Sequence, residues 1–502
     1  MSALKHLLLG VGAGLAVVVT AQAADMPVKA KPVQYVKICS LYGDGFYYIP
    51  GTDTCLKLGG FLRVQAEYNA GSGGVAIGSG TTEAPQARFD RASTNDVNYR
   101  TRAVMSWDVR QQTEYGPLRT YIRTGIQLTT PTDTEGGVVY WDRAFLQFAG
   151  FTVGKTLSFF DIFTYAGTYT YHDPRVDGDT TISNGLTVWG YTADFGNGIS
   201  GTLSLESPMG HSRQPVVDAS VAGFFAVNGA ITGDTAFSQQ AAGVNGFRLP
   251  DVVANWRVDQ AWGYAGVSAA MHEAGGAYYL TPNSVNNGHP ADKLGWAVAA
   301  GAKFNLPGGD IVGINACYTE GAVGYCTRNG SQQFYNASTS VAAGWAADGV
   351  FAPGSEVELT RVWSVLAAYE HVWSPRWRTS WFGGYVNIDY NSNATGIINS
   401  ALAAGSVCAR PFAGLVGNLA AVRADVGNSC SPDFSLYEIG TRTQWSPVPQ
   451  LDIGLEVLYT HYNTAYKGPA LYSANAPRPA VALLDDQNVW SALFRWQRNF
   501  YP

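Results

Sequence analysis

Period-two alternation runs through most of this chain. From residue 56 to 69, Leu56, Leu58, Gly60, Leu62, Val64, Ala66 and Tyr68 share one phase, and Lys57, Gly59, Phe61, Arg63, Gln65, Glu67 and Asn69 the other. Successive side chains of a strand point to opposite faces, so this pattern predicts a strand with one apolar and one polar side. A slip of one residue would exchange the faces, so the pattern also specifies which side meets an apolar medium. Tyr99, Ala103, Met105, Trp107 and Val109 likewise oppose Arg100, Arg102, Ser106, Asp108 and Arg110. Near the end, Leu451, Ile453, Leu455, Val457 and Tyr459 oppose Asp452, Glu456 and Thr460, and Trp490, Phe494 and Trp496 oppose Ser491, Arg495 and Gln497.

Alternating segments fall near 54–69, 99–112, 118–130, 138–149, 151–160, 186–196, 199–207, 248–260, 263–275, 294–305, 310–319, 356–373, 376–390, 433–445, 450–464 and 488–500. Their connections alternate in length. Tight turns are expected at Tyr115 to Pro117, Asn197-Gly198, Pro307 to Gly309, Ser374-Pro375 and Pro447 to Pro449, and long insertions at 70–98, 161–185, 208–247, 276–293, 320–355, 391–432 and 465–487. A soluble β-sandwich also alternates, but its strands average about 5–6 residues, and its outward faces give no reason for aromatic strand ends. The expected fold is all-β: a 16-stranded antiparallel transmembrane β-barrel, apolar outside and polar within.

The start of the chain supports export. Lys5, the uncharged run from Leu7 to Thr20 and Ala21-Gln22-Ala23 read as a cleavable leader over residues 1–23. A spanning helix would need roughly 20 apolar residues, and no segment of the chain supplies them. Barrel strands cross with about 9–11 residues each, which leaves overall hydropathy near neutral; the mean hydropathy here is -0.04. Residues 24–53, with Pro27, Pro32 and Pro50, form a pre-barrel segment, and 54–502 the barrel.

Composition agrees with strands at a membrane interface. The chain has 58 Gly, 14 Trp, 28 Tyr and 22 Phe, and 14% of its residues are charged. Removing Lys5 with the leader takes the net charge from -6 to -7, and the basic residues are scattered singly, so no nucleic-acid partner is indicated. Cys39 and Cys55, Cys317 and Cys326, and Cys408 and Cys430 lie pairwise close in sequence. An oxidising compartment favours disulfides for them. Neighbour pairing is the simplest of many connectivities, and without a C-x-x-C spacing neither a metal nor redox chemistry is expected. The sequence holds no H-E-x-x-H, G-x-S-x-G or P-loop motif, so no enzyme activity and no cofactor are expected.

The chain resembles the alphaproteobacterial outer-membrane porins. The likeness rests on MPVKAKPVQYVKICSLYGDGFYYIPGTDTCLKLGGFLRVQAEY (26–68), on RAFLQFAGFTVGKTLSFFD (143–161) and on the ending ALFRWQRNFYP (492–502). It implies a homotrimeric general diffusion porin, embedded in outer-membrane lipid, that passes small hydrophilic solutes and ions through a lumen narrowed by an inward-folded third long loop, 161–185. The ending departs from the family's aromatic last residue, because Pro502 follows Phe500 and Tyr501.

The loop carries Asp161, Asp173, Asp177 and Asp179, with His172 and Arg175. Arg63, Arg100, Arg102, Arg123 and Arg143 lie at inward phase on the first four strands, and Lys155 follows on the fifth, where Phe151 and Val153 share its phase. Acids on a folded loop facing a basic ladder would set a transverse field at the narrowest point. Taken without the resemblance, the loop reads as a solvated surface connection; with it, the constriction reading prevails. Asp177-Gly178-Asp179 lacks the spacing and terminal Glu of a calcium loop. A barrel phospholipase built on His461 has no supporting local spacing. A ligand-specific channel would need an aromatic slide, for which Tyr121, Phe145 and Phe159 are the candidates.

Overall fold

The computed structural model describes residues 37–68, 97–130, 137–165, 168–172, 174, 176, 178–181, 185–208, 216–219, 246, 248–279, 285–327, 333–337, 340–344, 346–401, 431–465, 467–471 and 481–500. The leader, residues 24–36, Asp173, Arg175, Asp177, Cys408 and Cys430 lie outside them.

Sixteen strands form the wall: β1 (Cys55–Tyr68), β2 (Val97–Thr113), β3 (Gly116–Thr130), β4 (Val138–Phe148), β5 (Phe151–Thr156), β6 (Leu186–Gly196), β7 (Ile199–Glu206), β8 (Asp251–Gln260), β9 (Gly263–Ala274), β10 (Lys293–Asn305), β11 (Ile311–Glu320), β12 (Arg361–Ser374), β13 (Trp377–Asp389), β14 (Phe434–Val448), β15 (Leu451–Asn463) and β16 (Gln487–Asn499). Each pairs antiparallel with the next, and β16 returns to β1, with Phe61 opposite Asn499 and Tyr68 opposite Ala492. Closure leaves no unpaired edge, which is what a sheet in hydrocarbon requires. The described residues contain no helix long and apolar enough to cross a membrane.

All sixteen expected strands are present, with two informative trims. The fifth stops at Thr156 because the Ser158 hydroxyl and Phe159 N–H turn to the Glu206 carboxylate at 2.6 and 2.9 Å. The twelfth begins at Arg361, because Glu358–Leu359 joins a separate three-stranded sheet with Gly349–Phe351 and Val216–Asp218. The long connections add a four-stranded sheet and helix α1 (Ser392–Ala401), whose Ala394 N–H is capped by Asn391 Oδ1 at 2.8 Å. At Asn197-Gly198 both residues have positive φ, 52° and 73°, the geometry of the tightest hairpin turns.

The two faces behave as their alternation implies. Leu62, Met105, Leu203, Val267, Ile314 and Leu455 are exposed, while Gln65, Ser106, Ser204, Ser268, Asn315 and Glu456 on the same strands are buried. Apolar outside and polar inside inverts a soluble protein and makes a continuous lipid-facing band. Rings collect at both rims. Trp377 stacks on Trp445 and Trp262 on Phe304 on the short-turn side; Trp363 meets Tyr385 and Tyr459 meets Trp490 on the long-loop side. Two of the expected neighbour pairs are disulfides, Cys39–Cys55 and Cys317–Cys326. The first ties the pre-barrel segment to the start of β1, where Tyr47–Tyr48 also pairs with β1.

Candidate pore constriction

The third long connection, between β5 and β6, touches the polar face of the wall at many points. At its base the Thr180 N–H donates to Asp161 Oδ1 at 3.1 Å, and Asp179 Oδ1 caps the Thr181 N–H and hydroxyl at 2.8 Å each. Burial first, then the neighbouring Asp179 charge, pushes the Asp161 carboxyl well above the usual carboxylate range. Further along, the Phe160 carbonyl accepts from Ser268 of β9 at 2.7 Å, and Tyr165 packs on Phe382 of β13 with ring centres 5.4 Å apart.

The far end is held by Glu456 of β15. Its fully buried carboxylate accepts from the Thr170 hydroxyl at 2.6 Å, the His172 N–H at 3.0 Å, the His172 imidazole at 2.5 Å and the Tyr171 N–H. Arg442 of β14 donates to the Thr168 carbonyl at 2.5 Å, and Arg495 of β16 to the Tyr171 carbonyl at 2.7 Å. The Tyr171 ring lies between these guanidiniums, 5.1 and 4.3 Å from its centre. Gly454 makes this possible, because a Cβ there would collide with the Tyr171 ring. A buried carboxylate met by this many donors recovers much of its desolvation cost, and each donor would be left unsatisfied without it.

Next to this anchor, where Arg495 Nε also donates to Gln65 of β1 at 3.1 Å, the basic ladder of β1–β4 begins. Arg100 pairs with Glu67 at 3.1 Å and donates to Thr129 at 3.0 Å. Arg63 Nε donates to Gln497 at 2.7 Å and Arg102 Nε to Gln127 at 2.9 Å. Arg123 and Arg143 share Asp142, at 2.9 and 2.5 Å. A register shift between Arg123 and Thr124 marks a bulge in β4, and this is how two successive residues, Asp142 and Arg143, both meet the polar face. Arg63 and Arg123 both lie over Phe61, at 4.7 and 5.6 Å, and Arg102 over Tyr140 at 5.5 Å.

The five arginines therefore come together, whereas Lys155 does not join them. It pairs with Ala144 and Thr187, two residues from the exposed Trp189 and in its phase. At the loop base Asp179 is buried and Asp161 half-buried, and Asp173 and Asp177 lie outside the described residues. Tyr121 and Phe145 meet with centres 5.3 Å apart and planes tilted by 30°, Arg119 lying over both, and Phe159 packs against Gly190. Sequence reasoning did not single out Glu67, Asp142, Glu206, Glu456, Arg442 or Arg495. Their one signal was a charged residue at polar phase, which does not say what it meets.

A family model described as the porin subfamily matches residues 25–493. Porin Omp2b of Brucella suis biovar 1 is 32% identical over 282 residues, 53% of this chain and 65% of that one. An outer membrane protein of Sinorhizobium fredii, y4fJ, is 32% identical over 156 residues, 31% of this chain and 43% of that one. The chain thus spans less than two thirds of the length of either relative. Among solved structures, the outer membrane channel DcaP of Acinetobacter baumannii has a TM-score of 0.55 at 13% identity, covering 90% of this chain and 99% of DcaP, which is a likeness of fold. With a closed sixteen-stranded barrel, a polar interior and a family match over nearly its whole length, the chain belongs to the porin subfamily.

Proposed function

We propose that this chain is an outer-membrane porin: a water-filled channel through which small hydrophilic solutes and ions diffuse passively, without any chemical reaction. The observation that carries this reading is the wall itself, an apolar band outside and buried or half-buried polar side chains within. In this reading residues 161–185 fold inward and set the narrowest point, held by Glu456, Arg442 and Arg495. Arg63, Arg100, Arg102, Arg123 and Arg143 form one side of that point. Asp161 and Asp179 close the base of the loop, and Asp173 and Asp177, outside the described residues, add to its acidic charge. Cleavage of residues 1–23 and assembly as a homotrimer belong to the same proposal.

Liposome swelling with sugars of graded mass tests it. Uptake should fall smoothly with mass, as expected where size alone sorts neutral solutes. Absence of swelling, or strong preference for one stereoisomer among sugars of equal mass, would contradict a general diffusion channel.

A further inference from the structure

Charge is divided unequally around the wall. Strands β1–β4 carry eight Lys and Arg against three acids, Glu67, Asp108 and Asp142. Strands β8–β15 carry six Lys and Arg against nine acids. The two arcs are also covered differently. Against β8–β15 the inward apolar residues, among them Val253, Leu366, Phe382 and Leu458, merge into one core with Phe160, Phe163 and Tyr165 of the third long connection and Ala347 and Ile398 of later ones. Asp251, Glu370, Glu438 and Glu456 are buried on that arc.

That core does not extend to β1–β4, whose described cover lies at the short-turn end, where Tyr42 and Phe46 of the pre-barrel segment rest against Arg110 and Lys57. Arg63 and Arg102 are half-buried, and the side chains of Arg119 and Arg123 keep 27% and 30% of their surface exposed. The acids of this arc lie deeper than Arg119 and Arg123, Glu67 at 3%, Asp142 at 9% and Asp108 at 12%, and Arg100 and Arg143 lie at the acids' depth, at 10% and 13%. Solvent therefore meets guanidinium here before it meets carboxylate.

We infer that the conducting path is eccentric, running along β1–β4, and that it favours small anions such as chloride, carboxylates and phosphates. This rests on the porin reading above. Fixed charge beside a narrow path with a low-dielectric wall concentrates the opposite ion. The planar donors of Arg also suit carboxylate and phosphate oxygens better than a point charge does.

The test is the reversal potential of the intact protein in a planar bilayer under a KCl gradient. Chloride should permeate several-fold better than potassium. The preference should be larger at 0.1 M than at 1 M salt, since the screening length falls from about 10 Å to about 3 Å. Arg102→Gln combined with Arg123→Gln should reduce it several-fold, while Arg378→Gln on β13 should leave it unchanged. A reversal potential at zero or toward potassium, or an unaltered preference in the Arg102/Arg123 pair variant, overturns the inference. Graded-sugar swelling, which is blind to charge, separates the two claims. Size sorting without anion preference defeats only this inference, whereas loss of size sorting defeats the reading beneath it.

Discussion

At Glu456 one carboxylate collects donors from three consecutive residues of a segment 284 to 286 positions away in sequence. Breaking a buried charged cluster of this kind costs about 3–5 kcal/mol, enough to free a loop tip without unfolding a barrel held by sixteen paired strands. Glu456→Gln should therefore make residues 161–181 cleavable by trypsin or chymotrypsin while the folded barrel persists on unheated gels; a loop as resistant as wild type would show that Glu456 does not hold it. Asp161 gives a second residue-scale prediction, through pH. Its folded-state pKa is raised, so the folded protein binds a proton that the unfolded chain releases. Stability then falls as pH rises from the ordinary carboxylate range toward the raised value. Asp161→Asn should remove that slope in melting temperature measured across this window, and a wild-type slope in the variant would contradict the burial argument. Neither residue's setting was legible from sequence, because period two reports a side chain's face and not its partner.

Among the elements, sequence and structure agree best where the signal is local. All sixteen strands were readable because alternation is fixed by the pleat and does not depend on the neighbours. The departures have non-local causes. The fifth strand ends early because Ser158 and Phe159 find Glu206 on β7, and the bulge at Asp142 depends on register against β3. The small sheets and α1 arise where long connections pack on one another. The two faces make an opposed pair of predictions on β9. Val267→Arg, on the exposed face, should destabilise the barrel by about 2–4 kcal/mol if near the bilayer midplane, measured by urea unfolding in vesicles. Tyr264→Phe, on the polar face, should change stability far less. Equal effects would mean that the two faces are not distinguished by lipid.

For the molecule as a whole, closure and inversion are the organising facts. The apolar groups that would form a soluble core face lipid, and the interior is divided between a packed arc and a basic one. That division was absent from composition, since a net charge of -6 hides a basic β1–β4 wall. The account's central claim, a channel narrowed by a clasped segment, is tested most directly by single-channel recording of the wild type and Glu456→Gln in the same salt. It predicts discrete, stepwise conductance for the wild type, and larger, noisier steps for the variant. No steps from the wild type, or identical steps from both, would contradict it.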